Sequence, residues 1–390
     1  MIGSRRVAVT GVGVVASCGI GADAFWDGLL REPAPGAREI PGWDASDLFG
    51  PKELRRVDRY TQFAVAAAEQ ALADAGEVGT DPDRSGVLIG TGVGGLHTLE
   101  EQIVLRHEKG PRRVSPFLVP MMMSNAAAAT VSMRFGWRGP CEATVTACAA
   151  GTHAIGNAAR LIALGICDAV ITGGSEAAIT PTGVAGFANM TALSNSGISR
   201  PYDTERDGFV IGEGAGVLVL EEWEHAVARG AHIWGEIMGA ASTADAHHIT
   251  APSPDGAGAV RCMELALADA GVSPGDIGHI NGHGTSTPLN DAAEAEAIAK
   301  VFGPDGPPVV STKGVTGHPL GAAGAIEAVA VLLSMKHELI PPTMGTVNLD
   351  PDITMDVVLG GPRSWTPAPA LSNSFGFGGH NGCLVLGPTS

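Results

Sequence analysis

Basic residues are scarce in this chain: 24 Lys and Arg stand against 41 Asp and Glu, a formal net charge of −17. Such a surface repels phosphate backbones, which excludes general nucleic-acid binding and demands a local basic patch for any acidic partner. Aromatics are also few, 5% of residues, whereas glycine reaches 55 of 390. That balance suits α/β layers whose backbones pack closely. The six cysteines (18, 141, 148, 167, 262, 383) show no CxxC pair and no regular framework, so a reduced, cytoplasmic chain is expected. His247-His248, His107-Glu108 and His337-Glu338 miss zinc-ligand spacing, so no metal site is expected. Walker and Gly-x-Ser-x-Gly sequences are lacking, and the Gly-x-Gly patterns at 11–13 and 92–94 are without the rest of a dinucleotide fingerprint. No long polar tract marks disorder, and no apolar run is read as a membrane span.

What the chain does contain is alternation. Strands are expected over 6–10, 85–90, 142–146, 168–173, 217–221, 233–241, 279–282, 309–312, 356–359, 371–374 and 383–386. Helical spacing covers 61–75, 151–164, 256–270, 291–302 and 324–335. This reads as an α/β protein with largely parallel, buried strands. Arg5-Arg6 and the apolar stretch before Cys18 loosely imitate a secretion signal, but Gly11 and Gly13 interrupt it. The expected structure there is a buried strand over 7–10 turning at those glycines. Segments 144–163 and 311–335 each run from a strand through a loop with a reactive residue into an Ala/Gly-rich helix. Two similar halves, 1–228 and 229–390, follow from that, joined near 221–230.

Three polar positions stand out. Cys148 sits in Thr-Ala-Cys-Ala-Ala-Gly, where small residues imply a sharp strand-to-helix turn. A helix N-terminus favours the thiolate, and its free N–H groups can hold an oxyanion. A buried structural cysteine is the plain alternative. His283 lies in Gly-His-Gly-Thr-Ser-Thr-Pro, and His318 follows Lys313 by five residues before a Gly-Ala-Ala-Gly helix start. The segment Asn373-Ser-Phe-Gly-Phe-Gly-Gly-His-Asn381 is a strand entering a glycine-dense turn, with Phe375 and Phe377 placed to gate a pocket.

Together these motifs resemble the β-ketoacyl-[acyl-carrier-protein] synthases, the type II elongating, KAS II-like condensing enzymes. The resemblance covers nearly the whole chain and includes Arg-Asp-Gly-Phe-Val-Ile-Gly-Glu-Gly at 206–214. It implies a thiolase fold, five αβαβα layers built from two duplicated halves. It also implies a decarboxylative Claisen condensation: a Cys148-bound acyl group joins malonyl-ACP to give 3-oxoacyl-ACP, CO2 and free ACP. Under it Cys148 is the nucleophile, and the Cys148 and Phe377 N–H groups form the oxyanion hole. His283 and His318 hold the malonyl thioester carbonyl, Lys313 supports them, Glu327 is a supporting acid and Asp291 a structural carboxylate. Thr285, Thr287, Val93, Phe187 and Phe375 are implied to meet substrate, with Val93 and Phe187 on the acyl channel. Lys52, Arg55, Arg56, Arg112 and Arg113 are implied to dock the acyl carrier protein, while Thr191 replaces an arginine common in that patch. No metal or organic cofactor is implied, because the carrier protein brings the phosphopantetheine arm. A homodimer is implied, or a heterodimer with a chain-length factor.

Rival readings fit less well. A thiolase needs a second reactive cysteine in the C-terminal glycine loop, and Cys383 lies beyond it. The priming synthases use Cys-His-Asn, a chain-length factor lacks the nucleophile, and a Cys148–His283 hydrolase leaves the other motifs unexplained. Between fatty-acid elongation and a type II polyketide or polyene pathway, the first is favoured and the second stays open.

Overall fold

The computed structural model describes residues 5–389. Its main strands are β1 (Val7–Ala16), β2 (Ser85–Gly90), β3 (Cys141–Thr144), β4 (Ala169–Glu176) and β5 (Gly214–Glu222), then β6 (Gly235–Ala244), β7 (His279–Asn281), β8 (Val309–Val310), β9 (Ala370–Gly376) and β10 (His380–Gly387). They form one path, β3-β2-β4-β5-β1-β6-β10-β9-β7-β8. Read outward from the centre, the first half runs 1-5-4-2-3 and the second 6-10-9-7-8, the same order five strands later. Directions repeat too. β1–β5 and β5–β4 are antiparallel while β4–β2 and β2–β3 are parallel. β6–β10 and β10–β9 are antiparallel while β9–β7 and β7–β8 are parallel. The duplication is therefore in the topology itself.

Strand direction departs from the sequence reading. Half of these pairings are antiparallel, because apolar runs report burial and not direction. Segment 356–359 is not a strand; Val357 makes only an isolated bridge to Val309. β1 does not turn at its glycines but continues to Ala16. A Cβ on Gly11 would lie 2.0 Å from the Ala71 carbonyl oxygen, and one on Gly13 1.9 Å from that of Ala67. Glycine there lets an alanine-faced helix lie directly on the strand.

The main helices are α1 (Arg59–Ala75), α2 (Leu96–Lys109), α3 (Ala126–Phe135), α4 (Ala150–Ala163), α5 (Pro181–Asn189), α6 (Ala257–Ala270), α7 (Pro288–Phe302) and α8 (Ala323–His337). α1 and α3 cover one face of the first half, and α6 packs on β6 and β10 of the second, with α7 beside it. α4 and α8 touch strands of both halves, giving the helix–sheet–helix–sheet–helix layering. α8 is apolar all round and buried from Ala323 to Met335, as a central helix must be. The stretch Leu320–His337 is in fact long and apolar enough to cross a membrane by composition, which the sequence reading missed; it is 89% buried inside the fold. α2, α3 and α5 were not legible. α2 buries only Thr98 and α5 buries no residue fully, so neither carries a core stripe.

Candidate active site

Cys148 occupies a tight turn, Ala147–Ala149, between β3 and α4. Ala147 holds φ +50°, a left-handed conformation that costs roughly 1–3 kcal/mol and persists only where the surroundings enforce it. β9 supplies that enforcement. A Cβ on Gly376 would lie 2.9 Å from the Thr146 carbonyl oxygen and 3.0 Å from the Cys148 nitrogen. The glycine turn that follows, with Gly378 at φ +84° and Gly379 at φ +72°, brings the Phe377 N–H to the Cys148 sulfur. The thiol is 6% exposed. Burial pushes it up to about 12, against the charge of Lys313 and the Phe377 N–H. The lowered thiol expected from a helix N-terminus is therefore not the resting state: desolvation outweighs it.

Two loops bring the histidines together. After β7, the His283 and Gly284 N–H groups donate to the Glu294 carboxylate of α7 at 2.6 and 2.7 Å. Tyr202 Oη donates to the same carboxylate at 3.1 Å. His318 donates its N–H to the Val210 carbonyl at 2.7 Å, and its carbonyl accepts from Gly212 N–H at 3.0 Å. The two rings meet edge to face, centroids 5.3 Å apart, with Phe375 against His283 and Phe209 against His318. Neither Nδ1 has a partner among the described residues. Burial, then the Lys313 charge, hold both imidazoles well below their ordinary value. Each is neutral, with one N–H to donate and one lone pair.

Lys313 lies wholly buried behind the pair. It donates to the His283 carbonyl at 2.5 Å and forms an ion pair with Glu327 of α8. Burial raises the Glu327 carboxyl in spite of that partner. Asp291 accepts from the N–H groups of Tyr202 at 2.8 Å and Ser286 at 3.1 Å, and burial pushes it up to about 6. It thereby fixes Ser286, whose φ is +70°. Glu294 was missed. Its signal was present: Asp291 and Glu294 are three apart, so they share the buried face of one helix.

A cavity of about 410 Å³ joins Cys148, His283 and His318 with Phe187, Phe375 and Phe377. Thr285 and Thr287 line it with hydroxyls 2.8 Å apart, and Thr191, at φ +56°, also borders it. Val93 is not on its wall; it lies in the loop before α2 and is 46% exposed. Lys52, Arg55, Arg56, Arg112 and Arg113 are all exposed. Arg56 stacks on the Phe117 ring at 4.3 Å, which draws their two segments together.

This arrangement can be set beside known proteins. The beta-ketoacyl synthase N-terminal domain family matches residues 47–226, and the C-terminal domain family matches 234–347. A 3-oxoacyl-[acyl-carrier-protein] synthase 2 from Synechocystis sp. is 46% identical, covering 98% of both chains. The solved ishigamide ketosynthase/chain length factor superposes with a TM-score of 0.94 at 33% identity, covering 99% of this chain and 100% of that one. A type II PKS acyl-carrier protein complexed with its ketosynthase bound to the hexaketide gives 0.90 at 36% identity, with the same coverage.

Proposed function

The chain belongs to the β-ketoacyl synthase family, and from that premise we propose that it is a β-ketoacyl-ACP synthase of fatty-acid elongation. The carrying observation is one cavity holding a turn-borne thiol and two neutral imidazoles, with a buried lysine behind them.

In the first half-reaction the Cys148 thiol gives its proton to a neutral imidazole and attacks the acyl-ACP thioester. The Cys148 and Phe377 N–H groups receive the oxyanion. The carbon–sulfur bond to the carrier arm breaks, and the carrier thiol leaves with the proton. Malonyl-ACP then enters past Thr285 and Thr287. Two imidazole N–H groups on its thioester carbonyl stabilise the enolate formed as CO2 departs. Donors of that kind are each worth about 2.7–4 kcal/mol. The enolate carbon attacks the Cys148 thioester and the carbon–sulfur bond breaks. Cys148 leaves as the thiolate and takes up one proton from solvent, and 3-oxoacyl-ACP results. A neutral imidazole keeps one N–H, so each histidine can donate to the thioester oxygen as it stands.

Acyl carrier protein is the partner this reading requires, and it brings the only prosthetic group needed. Its acidic surface would meet Lys52, Arg55, Arg56, Arg112 and Arg113, the local exception to a net charge of −17. We place the enzyme in the cytoplasm. A homodimer is favoured by the unpaired edge of β3 and by exposed Ile103, Val119, Met133 and Val145. A second reading, a polyketide or polyene ketosynthase beside a chain-length factor, draws support from the two solved structures above.

Acyl-ACPs of graded length with malonyl-ACP decide between them by product mass. Products two carbons longer than each fatty acyl primer support elongation. Repeated extension without intervening reduction, seen only when a second subunit is added, supports the other pathway.

A further inference from the structure

The Pro/Gly-rich stretch 31–43 reads as a plain loop, and the family match begins after it, at residue 47. Its Arg38 is nevertheless 7% exposed. A buried guanidinium ordinarily finds a carboxylate. This one bonds only backbone carbonyls: Nε to Val315 at 3.0 Å, and Nη1 to Gly36 at 2.5 Å and to Ala34. Its Nη2 has no partner among the described residues.

The carbonyl of Val315 belongs to the short helix Lys313–Thr316 that delivers Lys313 and leads into His318. Gly317 separates them at φ +65°, and a Cβ on it would lie 2.7 Å from Arg38 Cγ. The backbone adds a small ladder. Arg38 bridges Gly212 and Ile211 bridges His318, both parallel. Arg38 N–H donates to the Ile211 carbonyl at 2.9 Å, and Ile40 N–H to the Glu213 carboxylate at 2.9 Å. Segment 210–213 is thus held between Arg38 on one side and His318 on the other. With no partner on its Nδ1 among the described residues, the His318 ring takes its orientation from its backbone and from packing on Phe209 and His283.

We infer that Arg38 is a positioning residue for His318, clamping the Val315–Gly317 turn from outside the cavity. It touches no substrate and acts through the backbone of its neighbour. The inference rests on the role given to His318 in decarboxylation. It predicts an effect confined to the malonyl half-reaction, which needs both imidazoles on the thioester oxygen. Acylation needs one imidazole as proton acceptor, a part His283 can fill, and the Cys148 turn is held separately by β9 and the glycine loop.

The test uses the full-length protein and two assays: acyl transfer from acyl-ACP to Cys148 by intact mass, and CO2 release from malonyl-ACP with kcat and KM resolved. Arg38→Met keeps the bulk and removes the donors. It should lower the decarboxylation kcat about tenfold at nearly constant KM, with acylation within about twofold, since small misplacements of a reacting group cost this much or more. Arg38→Lys should recover part of the loss, because one ammonium reaches a carbonyl but cannot span three. A folded Arg38→Met that decarboxylates at the wild-type rate overturns the inference, as does an equal fall in both half-reactions. If Arg38→Met does not fold, Arg38→Lys carries the test, and a wild-type rate there overturns it. His318→Ala separates the two layers. If that variant decarboxylates normally, the role of His318 is wrong; if it fails while the Arg38 variants are normal, only the clamp is wrong.

Discussion

At the scale of single residues, the resting thiol and the neutral histidines set the chemistry. Cys148 titrating near 12 means that its thiolate fraction rises about tenfold per pH unit through the neutral range. Iodoacetamide labelling of Cys148 should climb without levelling from pH 7 to 10; a plateau by pH 9, as for an ordinary thiol, contradicts the burial argument. Cys148→Gln should leave malonyl decarboxylation running while condensation stops, because the carbonyl donors lie on other loops. Loss of both activities in a folded Cys148→Gln variant would show that the thiol takes part in decarboxylation. Lys313→Ala strands the Glu327 carboxyl in the interior, a loss of about 3–5 kcal/mol for breaking a buried pair. Thermal denaturation checks this, and an unchanged midpoint would mean that the ion pair does not hold the two loops. Cys148, His283, His318 and Lys313 could be singled out in the sequence because each sits in a small-residue or glycine motif. For Glu294 the sequence carries only its three-residue spacing from Asp291; its hold on the His283 loop shows once its backbone donors are known. Val93 is placed on the acyl channel by likeness alone, and it does not line the cavity beside Cys148.

Elements carry a second set of consequences. β7 buries His279 edge-on to Trp365, with neither ring nitrogen bonded among the described residues. Burial lowers this imidazole to about 3, so it stays neutral in the fold while the unfolded chain takes up a proton below about 6.5. The fold therefore loses stability from this group as pH falls from 6.5 towards 3, about 2 kcal/mol by pH 5. His279→Leu removes the titration and the unbonded nitrogens together. Its stability relative to wild type should improve steadily between pH 6.5 and 5 in urea unfolding; a constant gap across that range contradicts the assignment. Strand and helix positions were largely legible because apolar runs and 3.6-residue spacing report burial directly. Direction and length were not. Gly11 and Gly13 look like a turn in one dimension and prove to be the seat of α1 in three.

For the whole molecule, duplication is the organising fact. Two five-strand arrays of identical order meet at β1 and β6, and α4 and α8 fill the space between them. Each half delivers one part of the proposed site to the shared cavity: the Cys148 thiol ahead of α4, the histidines and lysine from the loops after β7 and β8. Likeness between 144–163 and 311–335 hinted at this in the sequence, but only the repeated strand order makes it structural. The outer face of the first half is open at β3, and Met133 is 75% exposed nearby on α3. If that face joins two copies, sedimentation should give about twice the 39.5 kDa chain mass, and Met133→Glu should shift the protein towards one chain. A wild-type protein that sediments as a single chain at micromolar concentration contradicts the homodimer.

One measurement bears on the central claim most directly: the intact mass of the enzyme, first with acyl-ACP alone and then after malonyl-ACP is added. The predicted result is one acyl group gained on the Cys148 peptide. Malonyl-ACP should then discharge it, releasing CO2 and a 3-oxoacyl-ACP two carbons longer. Label on another residue, or discharge as free fatty acid without malonyl-ACP, would contradict it.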